Sequence, residues 1–216
     1  VFSLYALGVV LAALVAKVLS VFIKPDVSST FVMELPPYRM PRVSGVLIQT
    51  WERGREFLHK AGTVILLAVV VVWALSNLPS GVAPGSPDSL IGRIGSAIAP
   101  LLRPAGFGTW QAAAALVFGA IAKELIVGTL GVLYGSGVGA GGIGLIGAIQ
   151  AHWTPLSAYA FMVMSLVYMP CVATLAAIRR ETGSRAWTAF AMAYPLVLGW
   201  VLAVIVYQVG RLIGLA

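Results

Sequence analysis

A single cysteine, Cys171, follows Pro170 near the middle of an apolar run, SAYAFMVMSLVYMPCVATLAAI, that is long enough to cross a bilayer. Proline has no N–H, so Pro170 cannot bond the carbonyl of Leu166, and a backbone oxygen is freed about one turn before the thiol. On a continuous helix Met164, Tyr168, Cys171 and Thr174 follow at intervals of four, three and three residues, forming one stripe of sulfur and hydroxyl groups. Met169 adds a further, weaker sulfur ligand. A thiolate, a thioether and a freed carbonyl could together pass a borderline-soft divalent ion, whereas carboxylate and carbonyl alone would favour magnesium or calcium. The plainer reading keeps Cys171 as a small buried hydrophobe, Pro170 as a kink, and Met164 and Tyr168 as packing residues.

The second constellation is the Lys123-Glu124 pair at the midpoint of another apolar run, FGAIAKELIVGTLGVLYG. A charge at that depth costs roughly 2.5 to 3.5 kcal/mol even on a lenient insertion scale, so each side chain must face protein or water. Adjacent residues on a helix diverge by about 100°, so the two do not pair side by side and each needs its own partner. Glu124 would share a face with Ala120, Gly128 and Gly131, all small, which permits close helix approach or leaves room for a solute beside the carboxylate. That points to an ion or proton site, or to a glutamate paired with a distant arginine. Lys123, facing Gly119 and Leu130, suits a counter-ion role. His59 and His152 read as interfacial or solvated rather than as ligands. No HExxH, GxSxG or phosphate-loop motif occurs, and no histidine is placed to activate Cys171, so an enzyme is not expected.

The elements that must hold these residues follow from composition. Of the 216 residues 60% are hydrophobic and only 10% charged, with a mean hydropathy of +0.97. Such a chain is an integral membrane protein. Its formal charge of +7 is explained by juxtamembrane Lys and Arg on anionic lipid, so the expected partner is membrane lipid and not nucleic acid. Val1 opens inside an apolar run with no charged segment before it, as a cut point within a longer protein would.

The first span covers residues 1–23, and residues 24–60 form a connector. Pro25, Pro36, Pro37 and Pro41 keep the start of that connector extended, and an amphipathic interfacial helix runs from Arg42 to Lys60. Six basic against four acidic residues between Lys24 and Lys60 place it on the cytoplasmic side. Residues 61–216 form a second transmembrane region with spans at about 61–78, 110–134, 156–178 and 187–215. SLIGRIGSAIAPLL, within 79–109, is too short to span and reads as an interfacial helix on an external loop. Thr154 and Pro155 make a helix start. If these spans simply alternate, the arginines of RRETGSR fall on the outer side, against the positive-inside rule. Something between residues 110 and 155 must therefore turn back, and GSGVGAGGIGLIGAI, with seven glycines in fifteen residues, is the candidate re-entrant segment. The expected fold is an all-α polytopic transmembrane helix bundle of about five long spans, with that Gly-rich segment and interfacial amphipathic helices.

FVMELPPYRMP, TWERGREFLHKAGTVILL, GAIAKELIVGTLGVLYG and MPCVATLAAIRRETGS with AMAYPLVLGWVLA, in that order, resemble the C-terminal membrane part of the bacterial ferrous iron transport protein B (FeoB) family. The resemblance covers nearly the whole chain. It implies that the chain from about Trp51 onward corresponds to the second of two gate repeats, in a multi-pass protein of the bacterial inner membrane. It also implies a GTP-binding domain and a first gate repeat upstream, neither of which lies in this chain, small cytoplasmic Feo accessory proteins as partners, and homo-oligomers. The family places a gate cysteine in the iron pathway, which by its Pro-Cys-Val-Ala-Thr context falls on Cys171, and its Ala-Lys-Glu segment falls on Ala122, Lys123 and Glu124.

The resulting expectation is Fe2+ transport, with the ion as cargo and no stably bound cofactor. Cys171 and Glu124 are the leading ligands, Met169, Met164 and Thr174 lesser ones, and Lys123, Pro170, Tyr168, Gly128 and Gly131 line or gate the path. The competing expectations are a proton-coupled transporter of a small organic solute such as a nucleoside, and a structural scaffold for a GTP-binding domain.

Overall fold

The computed structural model describes residues 2–22, 42–79, 81, 86–135, 147 and 149–214. The prolines expected to keep 24–41 extended, and most of the glycine-rich segment expected to re-enter the membrane, lie outside the described residues. The chain divides into two compact units, Val1–Thr63 and Val64–Ala216.

The first unit contains α1 (Phe2–Phe22) and the beginning of α2 (Val43–Asn77). Helix α1 is apolar enough over Phe2–Val21 to cross a membrane. Sequence patterning suggested an in-plane amphipathic helix joined to a separate span over 42–78, but α2 is one helix. Its 35 residues contain no proline, so nothing interrupts the hydrogen-bond ladder where the charged stretch gives way to the apolar one.

The second unit holds the end of α2, then α3 (Leu90–Leu102), a 3-10 turn (Arg103–Ala105), α4 (Trp110–Gly119) and α5 (Glu124–Gly135). It closes with α6 (Pro155–Val167), α7 (Val172–Thr182) and α8 (Arg185–Leu212). No strand occurs among the described residues, in keeping with the all-α expectation. Helix starts follow local chemistry: the hydroxyls of Ser89, Thr109, Thr154 and Ser184 each accept from an amide in the first turn of the following helix.

Helix α4 is the innermost element. Ala112, Ala113, Ala114 and Ala115 are buried on every side, as expected of a helix with no polar face. Small residues let its neighbours close in. A Cβ on Gly95 of α3 would collide with the Trp110 carbonyl, so the stretch expected to lie at the interface on an external loop packs directly onto α4, burying Ile91, Gly95, Ala99 and Leu102. Gly106 has φ 84° and carries the Tyr207 ring against it, two demands that only glycine meets. Helix α8 packs on α6 and is pinned to the end of α3 by Trp200 Nε1 donating to the Leu101 carbonyl (2.9 Å) and to the 3-10 turn by Gln208 Nε2 donating to that of Pro104 (2.8 Å). An aromatic group of Phe107, Trp153 and Phe161 fills the end of the core, with Trp153 Nε1 donating to the Tyr134 hydroxyl at 2.9 Å.

Candidate functional site

Two of the expected spans are broken, and both breaks fall on the residues singled out for chemistry. The run 110–134 is not one helix: α4 ends at Gly119, Ala120–Lys123 form a turn, and α5 begins at Glu124. The run 156–178 is likewise interrupted at Tyr168–Cys171, between α6 and α7.

The second break has a covalent cause. Pro170 offers no amide to Leu166 and pushes the residue before it away from helical geometry. Tyr168 and Cys171 are extended, with ψ of 155° and 159°. Cys171 then caps α7, its carbonyl accepting from Leu175 N at 3.0 Å. The first break contains no proline. The ladder there tightens from i−4 to i−3: Ile121 N bonds Phe118 O, Leu125 N bonds Ala122 O and Ile126 N bonds Lys123 O. Gly119 makes this turn feasible, because a Cβ there would occupy the space of the Ile126 side chain.

The breaks are tied to each other twice, in opposite directions. Lys123, in the turn after α4, donates from Nζ to the Leu166 carbonyl at 3.2 Å. That is the oxygen Pro170 leaves without its helical donor, and it lies at the C-terminal end of α6, where the helix dipole favours a cation. In return Tyr168 donates its hydroxyl to the Leu116 carbonyl near the end of α4, at 2.9 Å. The Tyr168 ring is only 8% exposed and packs in the central core.

This arrangement corrects the helical stripe expected from 164 to 174. Met164 and Met169 are buried in the same core as Leu116 and Ile126, so both serve packing. Cys171 is half-buried and Thr174 exposed one turn later, with Sγ and Oγ1 3.2 Å apart. Among the described residues Lys123 pairs with no carboxylate; its bond is to a main-chain oxygen. Glu124 is exposed as the first residue of α5, and among the described residues it forms no ion pair. A carboxylate there complements the positive end of the α5 dipole. Ala120 lies in the turn that caps α4, so of the expected small face only Gly128 and Gly131 share a helix with Glu124. A Cβ on Gly128 would sit 3.8 Å from Val69, and one on Gly131 would meet nothing within 4 Å, so among the described residues this face is not closely packed. His59 and His152 are both exposed. Among the described residues no three His, Cys, Asp or Glu side chains gather as a metal group. Pro170 announced the Leu166 oxygen in the sequence, whereas nothing there marked the Leu116 carbonyl.

Residues 58–185 match a family model named Gate, described as nucleoside recognition. The chain belongs to the Gate family. Residues 1–53 match a second model, the ferrous iron transport protein B C terminus. The chain is 48% identical to the Fe(2+) transporter FeoB of Staphylococcus aureus strain COL over 98% of this chain and 32% of that protein. It is 43% identical to the Fe(2+) transporter FeoB of Methanocaldococcus jannaschii, over 99% of this chain and 32% of the relative. It is 34% identical to an Fe(2+) transport protein A/Fe(2+) transporter FeoB fusion protein of Porphyromonas gingivalis, over 98% of this chain and 30% of the relative. The resemblance read from the motifs is thus borne out, and the Gate chain spans about a third of the length of these relatives. No solved structure matches it. The Gate match includes both helix breaks, with Lys123, Glu124 and Cys171 inside it.

Proposed function

We propose that this chain is part of a multi-pass permease that carries Fe2+ across the bacterial inner membrane, the ion passing the paired helix breaks and meeting the Cys171 thiolate there. The observation that carries the reading is the pairing of two broken helices through Lys123 and Tyr168, with Cys171 at the end of the second break. Non-helical backbone at membrane depth is tolerated where it is buried in protein or lines a cavity, and the ends of half-helices are the polar groups available to an ion. Cys171 supplies a soft ligand, Thr174 an adjacent oxygen, and Glu124 negative charge at the start of α5. Such a sparse set suits an ion that must be released as readily as it binds.

Iron is favoured over an organic solute by the relatives, each of which carries Fe(2+) in its name. The fused relative supports a partnership with a small accessory protein of the transport protein A type. The whole assembly would include a first gate repeat, a GTP-binding domain and further copies of the protein.

Uptake into proteoliposomes, using the protein as it occurs in the cell and Fe2+ kept reduced by ascorbate, tests the reading. Cys171→Ser should lower iron uptake roughly ten- to hundredfold with the same amount of inserted protein. Nucleoside uptake should be absent in both. Unchanged iron uptake removes the thiol from the pathway, and nucleoside uptake that is indifferent to Cys171 restores the organic-solute reading.

A further inference from the structure

The Lys123 ammonium occupies a position built for a cation. Three features converge on the Leu166 carbonyl: Pro170 withholds the amide that would have bonded it, the α6 dipole is negative at that end, and the break leaves the oxygen within reach of α5's leading turn. The group that fills the position is a positive charge on a flexible four-carbon stem, rooted in the other break. Lys123 is itself exposed rather than packed. The Tyr168 hydroxyl, bonded to Leu116, supplies a second tie between the same two breaks.

We propose that Lys123 is a tethered surrogate ion: its ammonium holds the Leu166 carbonyl in the resting state and is displaced by the permeating divalent cation. The inference rests on the pathway reading above and assigns a selectivity device to it. Displacement carries a fixed cost, the loss of one charge-assisted hydrogen bond, whatever ion arrives. A divalent ion recovers more of that cost from the carbonyl, because its attraction to that oxygen is about twice that of a monovalent ion at equal distance. A monovalent ion recovers less, so the lysine screens out weakly held cations while the ligands remain few. Because the cost is common to all ions it cancels in the ratio of affinities and acts through occupancy: where Fe2+ saturates the site its flux is little changed, while the flux of sub-saturating K+ falls about tenfold or more for a charge-assisted bond of ordinary strength.

The test measures influx of Fe2+ at saturating and K+ at sub-saturating concentration on the same proteoliposomes, again with the protein as it occurs in the cell. Lys123→Met and Lys123→Gln should pass Fe2+ and lose about tenfold or more of the Fe2+ over K+ discrimination, while Lys123→Arg, which keeps the cation, should retain most of it. Pro170→Ala offers Leu166 a competing amide and leaves the lysine in place, so it should shift the ratio in the same direction. Unchanged discrimination in either neutral variant overturns the inference. So does loss of inserted, heat-stable protein in both of them, which would make Lys123 a packing residue. The Cys171→Ser arm separates the two levels: if that variant loses iron uptake while the Lys123 variants keep their selectivity, only the surrogate-ion inference fails; if Cys171→Ser transports normally, the pathway reading fails first.

Discussion

Replacing Tyr168 with Phe removes one oxygen from the centre of the molecule and leaves the ring in place, so it isolates the tie between the two breaks. The lost bond is 2.9 Å long and runs to the Leu116 carbonyl. A neutral buried hydrogen bond contributes about 1 kcal/mol net, and the cost rises to as much as ~3 kcal/mol when the remaining partner is stranded. Leu116 is not stranded, because its carbonyl still accepts from Ala120 N at 3.1 Å. The expected loss is therefore about 1 kcal/mol, or a fall in Tm of about 2 to 4 °C for a unit of this size. Tyr168→Ala, which also empties the space filled by the ring, should cost about 3 to 5 kcal/mol. Thermal unfolding in nanodiscs, followed by tryptophan fluorescence, measures both. Combining Tyr168→Phe with Lys123→Met should give a coupling of about 0.5 kcal/mol or more, since both bonds hold the same pair of breaks. A Tyr168→Phe protein as unstable as Tyr168→Ala, or additive behaviour in the double variant, would refute the crossed-tie argument.

Thr129 on α5 is 2% exposed and its hydroxyl has no hydrogen-bond partner among the described residues. Thr129→Val keeps the shape and removes a desolvated oxygen, so it should be neutral or raise stability by about 1 kcal/mol; a loss above ~1 kcal/mol would reveal a partner for that hydroxyl. Gly95→Ala drives a methyl into the Trp110 carbonyl and should cost about 1 to 3 kcal/mol, read as a lower Tm with unchanged helical circular dichroism. Cys171→Ser should leave Tm within a few degrees of the starting protein while cutting iron uptake, because a serine hydroxyl can keep the contact that the thiol makes with Thr174 Oγ1 at 3.2 Å; a large drop in Tm would make it a structural residue.

Where the chain punctuates itself, sequence reading and structure coincide. Thr154 and Pro155 start α6, with the threonine hydroxyl accepting from Ser157 N. Pro170 both ends α6 and exposes the Leu166 oxygen that Lys123 takes up. Where no proline stands, periodicity misled. The apolar run from Trp110 to Tyr134 contains no proline, yet it breaks at Ala120–Lys123. The benefit of that break is tertiary: Ile126 folds against Gly119, and Lys123 reaches a carbonyl 43 residues away in sequence. Met164 reads the same as a pathway thioether or as a core residue until its neighbours are known, and those neighbours bury it.

Composition alone established a helical membrane chain, since 60% hydrophobic residues leave too little polar surface for water and an apolar backbone must satisfy its own hydrogen bonds in lipid. Motifs and spacing also picked out Cys171, Pro170, Lys123 and Glu124 as the residues with chemistry to offer. Only the tertiary structure decided that these belong to two breaks facing one another, that Lys123 serves a main-chain oxygen, and that Tyr168 returns the bond. The reason is physical: a freed carbonyl is a local consequence of one proline, but its partner is chosen by how separate helices pack, and no pattern within either helix encodes that choice.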